Sequence, residues 1–106
     1  MEAGVEAALK QLNDAILNSE VYKRYCEQQA RVNEQPELKR RINEYRKKNF
    51  ELQNTNSTLD KIEEFEREFE GFRDDELVND YLAAELAFCR MMQRIDVQLI
   101  AGIDFE

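Results

Sequence analysis

Apolar positions recur along this chain with the period of a helix almost from end to end. Val5, Leu9, Leu12 and Ile16 are spaced 4, 3 and 4 apart, the stripe of an amphipathic helix over about residues 3–17. Val21, Tyr22, Tyr25 and Val32 mark a second segment over residues 20–32. At about 100° per residue, this set falls roughly 180° away from the first. One straight helix would then bury opposite faces in its two halves. The chain is therefore expected to bend at Asn18-Ser19, with Ser19 capping the new helix.

Pro36 suits the first position of a third helix, where its missing N–H is not needed. Leu38, Ile42, Tyr45 and Leu52 stripe it to about residue 53. After the polar run 54–58, Ser57-x-x-Asp60 resembles a capping box opening a fourth helix. Leu59, Ile62, Phe65, Phe69 and Phe72 then follow at spacings of 3, 3, 4 and 3, the narrow seam of a coiled-coil-like contact. Gly71 interrupts, and a last helix is predicted over residues 75–101 with Gly102 at its end. Residues 104–106 are expected to fray. No alternating β-branched run occurs, so no strand is expected. The predicted fold is all-α: a single domain over residues 1–106, an elongated antiparallel bundle of four to five helices.

The last helix is apolar over well over half its circumference. Leu77, Val78, Tyr81, Leu82, Leu86, Phe88, Cys89, Met91, Met92, Ile95, Val97, Leu99 and Ile100 all lie on it. A helix apolar that far round is contacted on two sides, and a thin bundle offers one. A homo-oligomer, dimer or tetramer, is expected to supply the other through Leu77, Tyr81, Leu82, Phe88, Met92, Ile95 and Leu99.

Composition narrows the function. Leu, Ile, Val and Phe make up 27 of 106 residues, enough for a folded chain despite 36% charged residues and a net charge of −8. There is no histidine. That excludes Ser-His and Cys-His nucleophile pairs, histidine metal sites and ferritin-type Glu-x-x-His bundles. No Gly-rich phosphate loop occurs either, so no enzymatic activity and no cofactor are expected. No apolar run is long enough to span a membrane. Residues 1–6 carry neither the basic nor the apolar stretch of a secretory signal, and the expected location is the cytoplasm. Cys26 and Cys89, 63 residues apart, read as two small half-buried hydrophobes rather than a disulfide.

Charge is divided between neighbouring helices. Residues 36–48 hold six basic and two acidic residues, while residues 58–76 hold nine acidic and three basic. Mutual pairing is the first reading. The second is that Arg40, Arg41 and Lys47 meet a partner. Direct nucleic-acid binding is disfavoured because an acidic chain repels phosphate. Glu85 sits inside the apolar stripe of the last helix, with Asp96 close to its azimuth. A carboxylate there requires an ion pair or hydrogen bond, such as to an Arg or Lys of the basic helix. Metal ligation between subunits is the alternative, and would suit Mg²⁺ or Ca²⁺. Phe65, Phe69 and Phe72 pack in the bundle or, alternatively, line a groove for a partner helix.

Four segments in order carry a family resemblance. They are Ser19-Glu20-Val21-Tyr22-Lys23-Arg24-Tyr25, Pro36-Glu37-Leu38-Lys39-Arg40-Arg41-Ile42-Asn43-Glu44-Tyr45, Asn79-Asp80-Tyr81-Leu82-Ala83-Ala84-Glu85-Leu86 and Met92-Gln93-Arg94-Ile95. The set resembles the YlbF/YmcA family of small bacterial helical proteins, and in length its YheA-like members. The resemblance implies a cytoplasmic, oligomeric, non-enzymatic regulator or adaptor. Such proteins are tied to biofilm formation, competence and sporulation, and to assisting ribonuclease Y. Some members hold iron–sulfur clusters with cysteines of a C-terminal extension. Cys26 and Cys89 do not match those positions, so cluster binding is not carried over. Two other classes compete: a helical holdase using coiled-coil arms, and a metal or iron–sulfur carrier built across subunits. The polar run 54–58 argues against exposed apolar tips of the holdase kind.

Overall fold

The structure, a computed structural model, describes residues 1–105; Glu106, the last of the residues expected to fray, lies outside them. The described residues form five α-helices and no strand. These are α1 (Ala3–Leu17), α2 (Glu20–Asn33), α3 (Pro36–Asn54), α4 (Leu59–Glu68) and α5 (Glu76–Ala101), with a 3₁₀ turn at Phe72–Asp74.

Local chemistry sets most boundaries. The α1–α2 break falls at Asn18-Ser19, as the change of apolar face requires. Ser19 Oγ accepts from the Tyr22 N–H at 3.1 Å and donates back to the Ile16 carbonyl at 2.7 Å. Pro36 opens α3. Asp75 caps α5 by accepting from the N–H groups of Leu77 and Val78. Gly71 adopts φ 70°, a left-handed conformation that disfavours other residues, and it lets the chain turn out of α4. Gly102 follows α5 at φ −79°, so that end needs no left-handed glycine.

Two expectations change here. The cap of α4 is Thr58, whose Oγ1 accepts from the Lys61 N–H at 3.3 Å. Ser57 instead donates to the Leu52 carbonyl at the end of α3. The five-residue apolar seam is also not one helix face. α4 stops at Glu68, so Phe72 lies on the 3₁₀ turn, and Leu59 and Ile62 are exposed. The Gly71 turn is the physical reason.

α2 lies along the N-terminal half of α5 with opposite chain direction. Tyr22 and Tyr25 meet Phe88 at ring centroid distances of 5.2 and 5.3 Å, Tyr25 stacks on Tyr81, and Arg31 approaches Asp80. Ala84 is buried in this contact, where its small side chain admits α2. The core sits where α3 joins the pair. Val32, Ile42, Val78 and Tyr81 are buried there, with Tyr25, Leu38, Phe72, Leu77 and Leu82 packed around them.

A second, smaller cluster closes the α3–α4 hairpin. Tyr45 touches Phe65, Phe69 and Phe72 at 5.3 to 5.5 Å. Arg41 lies 4.6 Å above the Phe69 ring and donates to the Glu68 carbonyl at 2.7 Å. A cation at the C-terminal end of α4 satisfies a carbonyl that the helix leaves free.

The result is an open molecule of 53 × 38 × 20 Å with a radius of gyration of 18.4 Å. A compact chain of this length would have about 13 Å. With so small a core, each buried side chain counts. Ile42→Ala is expected to lower stability by about 2–4 kcal/mol, read from urea unfolding; a change within experimental error would contradict the placement of the core.

Candidate functional site

α5 presents two apolar flanks. At about 100° per residue, Tyr81, Glu85, Phe88, Met92, Ile95 and Leu99 share one stripe. Leu82, Leu86, Cys89 and Ile100 form a second, roughly a quarter turn away. α2 covers the first stripe only as far as Phe88. Tyr81 is buried within the chain at 7% exposure, and Phe88 is half-buried against Tyr22 and Tyr25. Leu77 and Leu82 pack on the core.

These four were expected at a contact between copies. The structure corrects that assignment for Tyr81, which is buried within its own chain; Leu77, Leu82 and Phe88 are half-buried there and keep part of their surface open. Met92 and Leu99 remain open, at 40% and 57% exposure, and Ile95 is half-buried.

The second flank of α5 faces α3 across a groove of about 330 Å³. Phe50, Leu82, Leu86 and Cys89 give it apolar walls, and Arg46, Arg73, Asn49 and Gln53 give it polar edges. Phe50 is 65% exposed and Leu86 49%. Phe50 carries no periodic signal, since it lies off the α3 stripe of Leu38, Ile42, Tyr45 and Leu52; sequence reasoning missed it. Leu86 and Cys89 were legible only as part of the excess apolar width of α5.

A polar bridge spans the groove floor. Arg46 Nη2 donates to Glu85 Oε2 and, at 2.8 Å, to the Tyr81 hydroxyl. That hydroxyl in turn donates to Glu85 at 3.3 Å. The guanidinium also lies 5.3 Å from the Tyr81 ring centroid. The carboxylate in the apolar stripe is thus matched by a cation of the basic helix. The bridge ties α3 to α5 where their backbones diverge.

Burial, and then the adjacent Tyr81 hydroxyl, hold the Tyr25 phenol above its ordinary value of 10.0. The Lys48 ammonium is raised too, first by its hydrogen bond to Glu68 at 2.6 Å across the α3–α4 hairpin.

The other candidate residues divide. Phe65, Phe69 and Phe72 are gathered around Tyr45, with Phe69 buried; this is the packing in the bundle of the first reading, and it corrects the alternative of an open partner groove. Arg41 is engaged in capping α4, and Arg40 lies between Glu37 and Glu44 at 3.0 and 2.6 Å. Lys47 is exposed and makes no ion pair among the described residues. Charge pairing is therefore mostly within α3 or onto α5, with Lys48–Glu68 the ion pair that crosses the hairpin. Cys26 is half-buried, but Cys89 is exposed on the groove. No group of three or more Cys, Asp or Glu that could hold a metal occurs among the described residues, and no helix there is long and apolar enough to cross a membrane.

Two outcomes test this geometry. Arg46→Ala should destabilise the chain by about 1–3 kcal/mol by stranding Glu85. The Arg46→Ala/Glu85→Ala double variant should lose less than the sum of the single variants, and strict additivity would dissolve the bridge. The second outcome concerns alkali. Because the folded Tyr25 phenol holds its proton more tightly than the unfolded one, its stabilisation is complete below about pH 10 and is lost as pH rises through the folded value. Thermal melts above pH 10 should therefore fall less steeply for Tyr25→Phe than for the parent chain; parallel curves would contradict the shift.

A model of the family described as control of competence regulator ComK, YlbF/YmcA, matches residues 5–104. No curated protein and no solved structure matches the chain.

Proposed function

The chain belongs to the YlbF/YmcA family, and on that footing we propose that it is a regulatory protein that acts by binding other proteins, as a homo-oligomer, with no catalytic activity of its own. The family description, control of a competence regulator, is that of a regulator. The observation that carries the binding mechanism is unburied surface. The chain exposes 8439 Å². A compact monomer of its mass would expose about 6,200 Å². The excess, roughly 2,200 Å², exceeds the approximately 800 Å² that each partner contributes to a standard interface. Phe50, Leu86, Met92, Val97, Leu99 and Ile100 are among the large apolar side chains left outside.

Two surfaces divide the work in this reading. The α3–α5 groove recruits the regulatory partner, and the far end of α5 serves self-association. The groove fits one amphipathic helix of a partner. Phe50, Leu82 and Leu86 would take its apolar side, while Arg73 lies at the edge for acidic residues. Ion pairs at such an edge direct association more than they strengthen it.

The test is affinity capture from native cells with and without nuclease, using the parent chain and Phe50→Ser/Leu86→Ser. The reading predicts a protein partner retained after nuclease and lost with the variant, at unchanged helical content. A ribonuclease among the captured proteins would extend to this chain the role that some family members have. Capture abolished by nuclease, or undiminished in the variant, would contradict the reading.

A further inference from the structure

We propose that the outer flank of α4 is a docking surface for a basic, amphipathic helical segment of another protein. None of its residues lines the α3–α5 groove, so it is a second site beyond the one proposed above.

The first observation is an apolar flank without a neighbour. α4 has no buried residue. Phe65 meets Tyr45, but Leu59 is 69% exposed and Ile62 38%. At about 100° per residue these two lie within about 60° of each other on the helix. The second observation is where the charge lies. The chain has a net charge of −8, and residues 58–76, with nine acidic and three basic residues, carry −6 of it. Glu63, Glu66 and Glu70 gather with Arg67 around one shallow hollow. Glu63 and Glu66 fall within about 40° of Leu59, one on either side. Asp60, Glu63, Glu66 and Glu70 make no ion pair among the described residues. Neighbouring cations are used elsewhere. Lys48 holds Glu68, Arg41 caps the end of α4, and Lys61 lines the cleft between α3 and α4 with Lys48 and Glu51. Like charges three or four residues apart destabilise a helix, and Asp60, Glu63 and Glu66 follow one another at spacings of 3.

The occupant follows from charge complementarity. α4 is 10 residues long, about 15 Å, so it offers a single line of contact. An apolar line edged by unmatched carboxylates fits a helix laid alongside it. Apolar residues at i and i+3 or i+4 of that helix cover Leu59 and Ile62, and Lys or Arg beside them reaches Glu63 and Glu66. Such a partner relieves the repulsion along α4 as well as burying its flank. Attraction to the most acidic part of the chain also speeds the encounter. A second copy matches this face poorly. Of the six cations in residues 36–48, Arg40, Arg41, Arg46 and Lys48 are already in ion pairs within the chain. Nucleic acid and anionic lipid are repelled by the same carboxylates.

The experiment titrates a synthetic helical peptide of about 14 residues, with leucine along one face, lysine beside it and glutamine behind, followed by fluorescence anisotropy. It is added to the parent chain, Glu63→Gln/Glu66→Gln/Glu70→Gln, Leu59→Ser/Ile62→Ser and the groove variant Phe50→Ser/Leu86→Ser. The same peptide with serine in place of leucine measures attraction by charge alone. Amide NMR shifts of the parent chain locate the bound peptide. The proposal predicts shifts centred on residues 59–70 and an affinity about tenfold lower in each α4 variant. It predicts weaker binding of the serine peptide and parent-like affinity in Phe50→Ser/Leu86→Ser. No binding, equal binding of the two peptides, or unchanged affinity in both α4 variants would overturn it. Binding lost only in Phe50→Ser/Leu86→Ser would give the peptide to the groove, overturning this proposal while the function proposed above stands. Shifts of α4 amides on concentrating the chain alone would give the face to a second copy and overturn it too. Should an α4 variant lose helical content, the shift map of the parent chain decides: shifts centred away from α4 overturn the proposal.

Discussion

Everything in this molecule depends on the contact between α2 and the first half of α5. Tyr22 and Tyr25 lie against Tyr81 and Phe88, Ala84 admits the neighbouring helix, and Val32, Val78 and Ile42 complete a core small enough to name in one line. The contact covers one flank of α5 for half its length. It leaves the rest of that helix, and α1, with apolar surface that the chain cannot bury by itself. Burial is the main favourable term in folding, so the uncovered half of α5 is where the chain has apolar surface left to bury.

The α3–α4 hairpin is attached to this pair by other means. Ile42 enters the common core, but further out the connection is polar. Arg46 reaches across to Tyr81 and Glu85, and Arg41 closes the end of α4 from within the hairpin. Such a bridge holds an angle between diverging helices without filling the space between them. The groove with Phe50 and Leu86 on its walls is the consequence. Under the proposed function, this cleft is where a partner would find apolar side chains of both helices together.

Much of this was legible in the sequence, for identifiable reasons. Helix spans followed from period, from Pro36 and from the Ser19 cap, all local chemistry. The need of Glu85 for a cation followed from its place in an apolar stripe. Which face of α5 would be covered did not follow, because periodicity shows that a face is apolar and not which neighbour takes it. Tyr81 therefore read as surface for a second copy, when its own chain already buries it. The phenylalanines pack in the bundle, as first read, but not along one helix: Gly71 at φ 70° breaks the helix that their spacing implies, and folds Phe72 back onto Tyr45. Phe50, outside any stripe, gave no signal until α3 and α5 were seen to diverge.

The central claim is that folding of this chain is completed by association. Calorimetric unfolding over a wide range of protein concentration tests it most directly, since whatever binds only the folded state raises its melting temperature by mass action. The account predicts a Tm that climbs steadily with concentration. A Tm independent of concentration, with a single transition, would show that the lone chain is already complete.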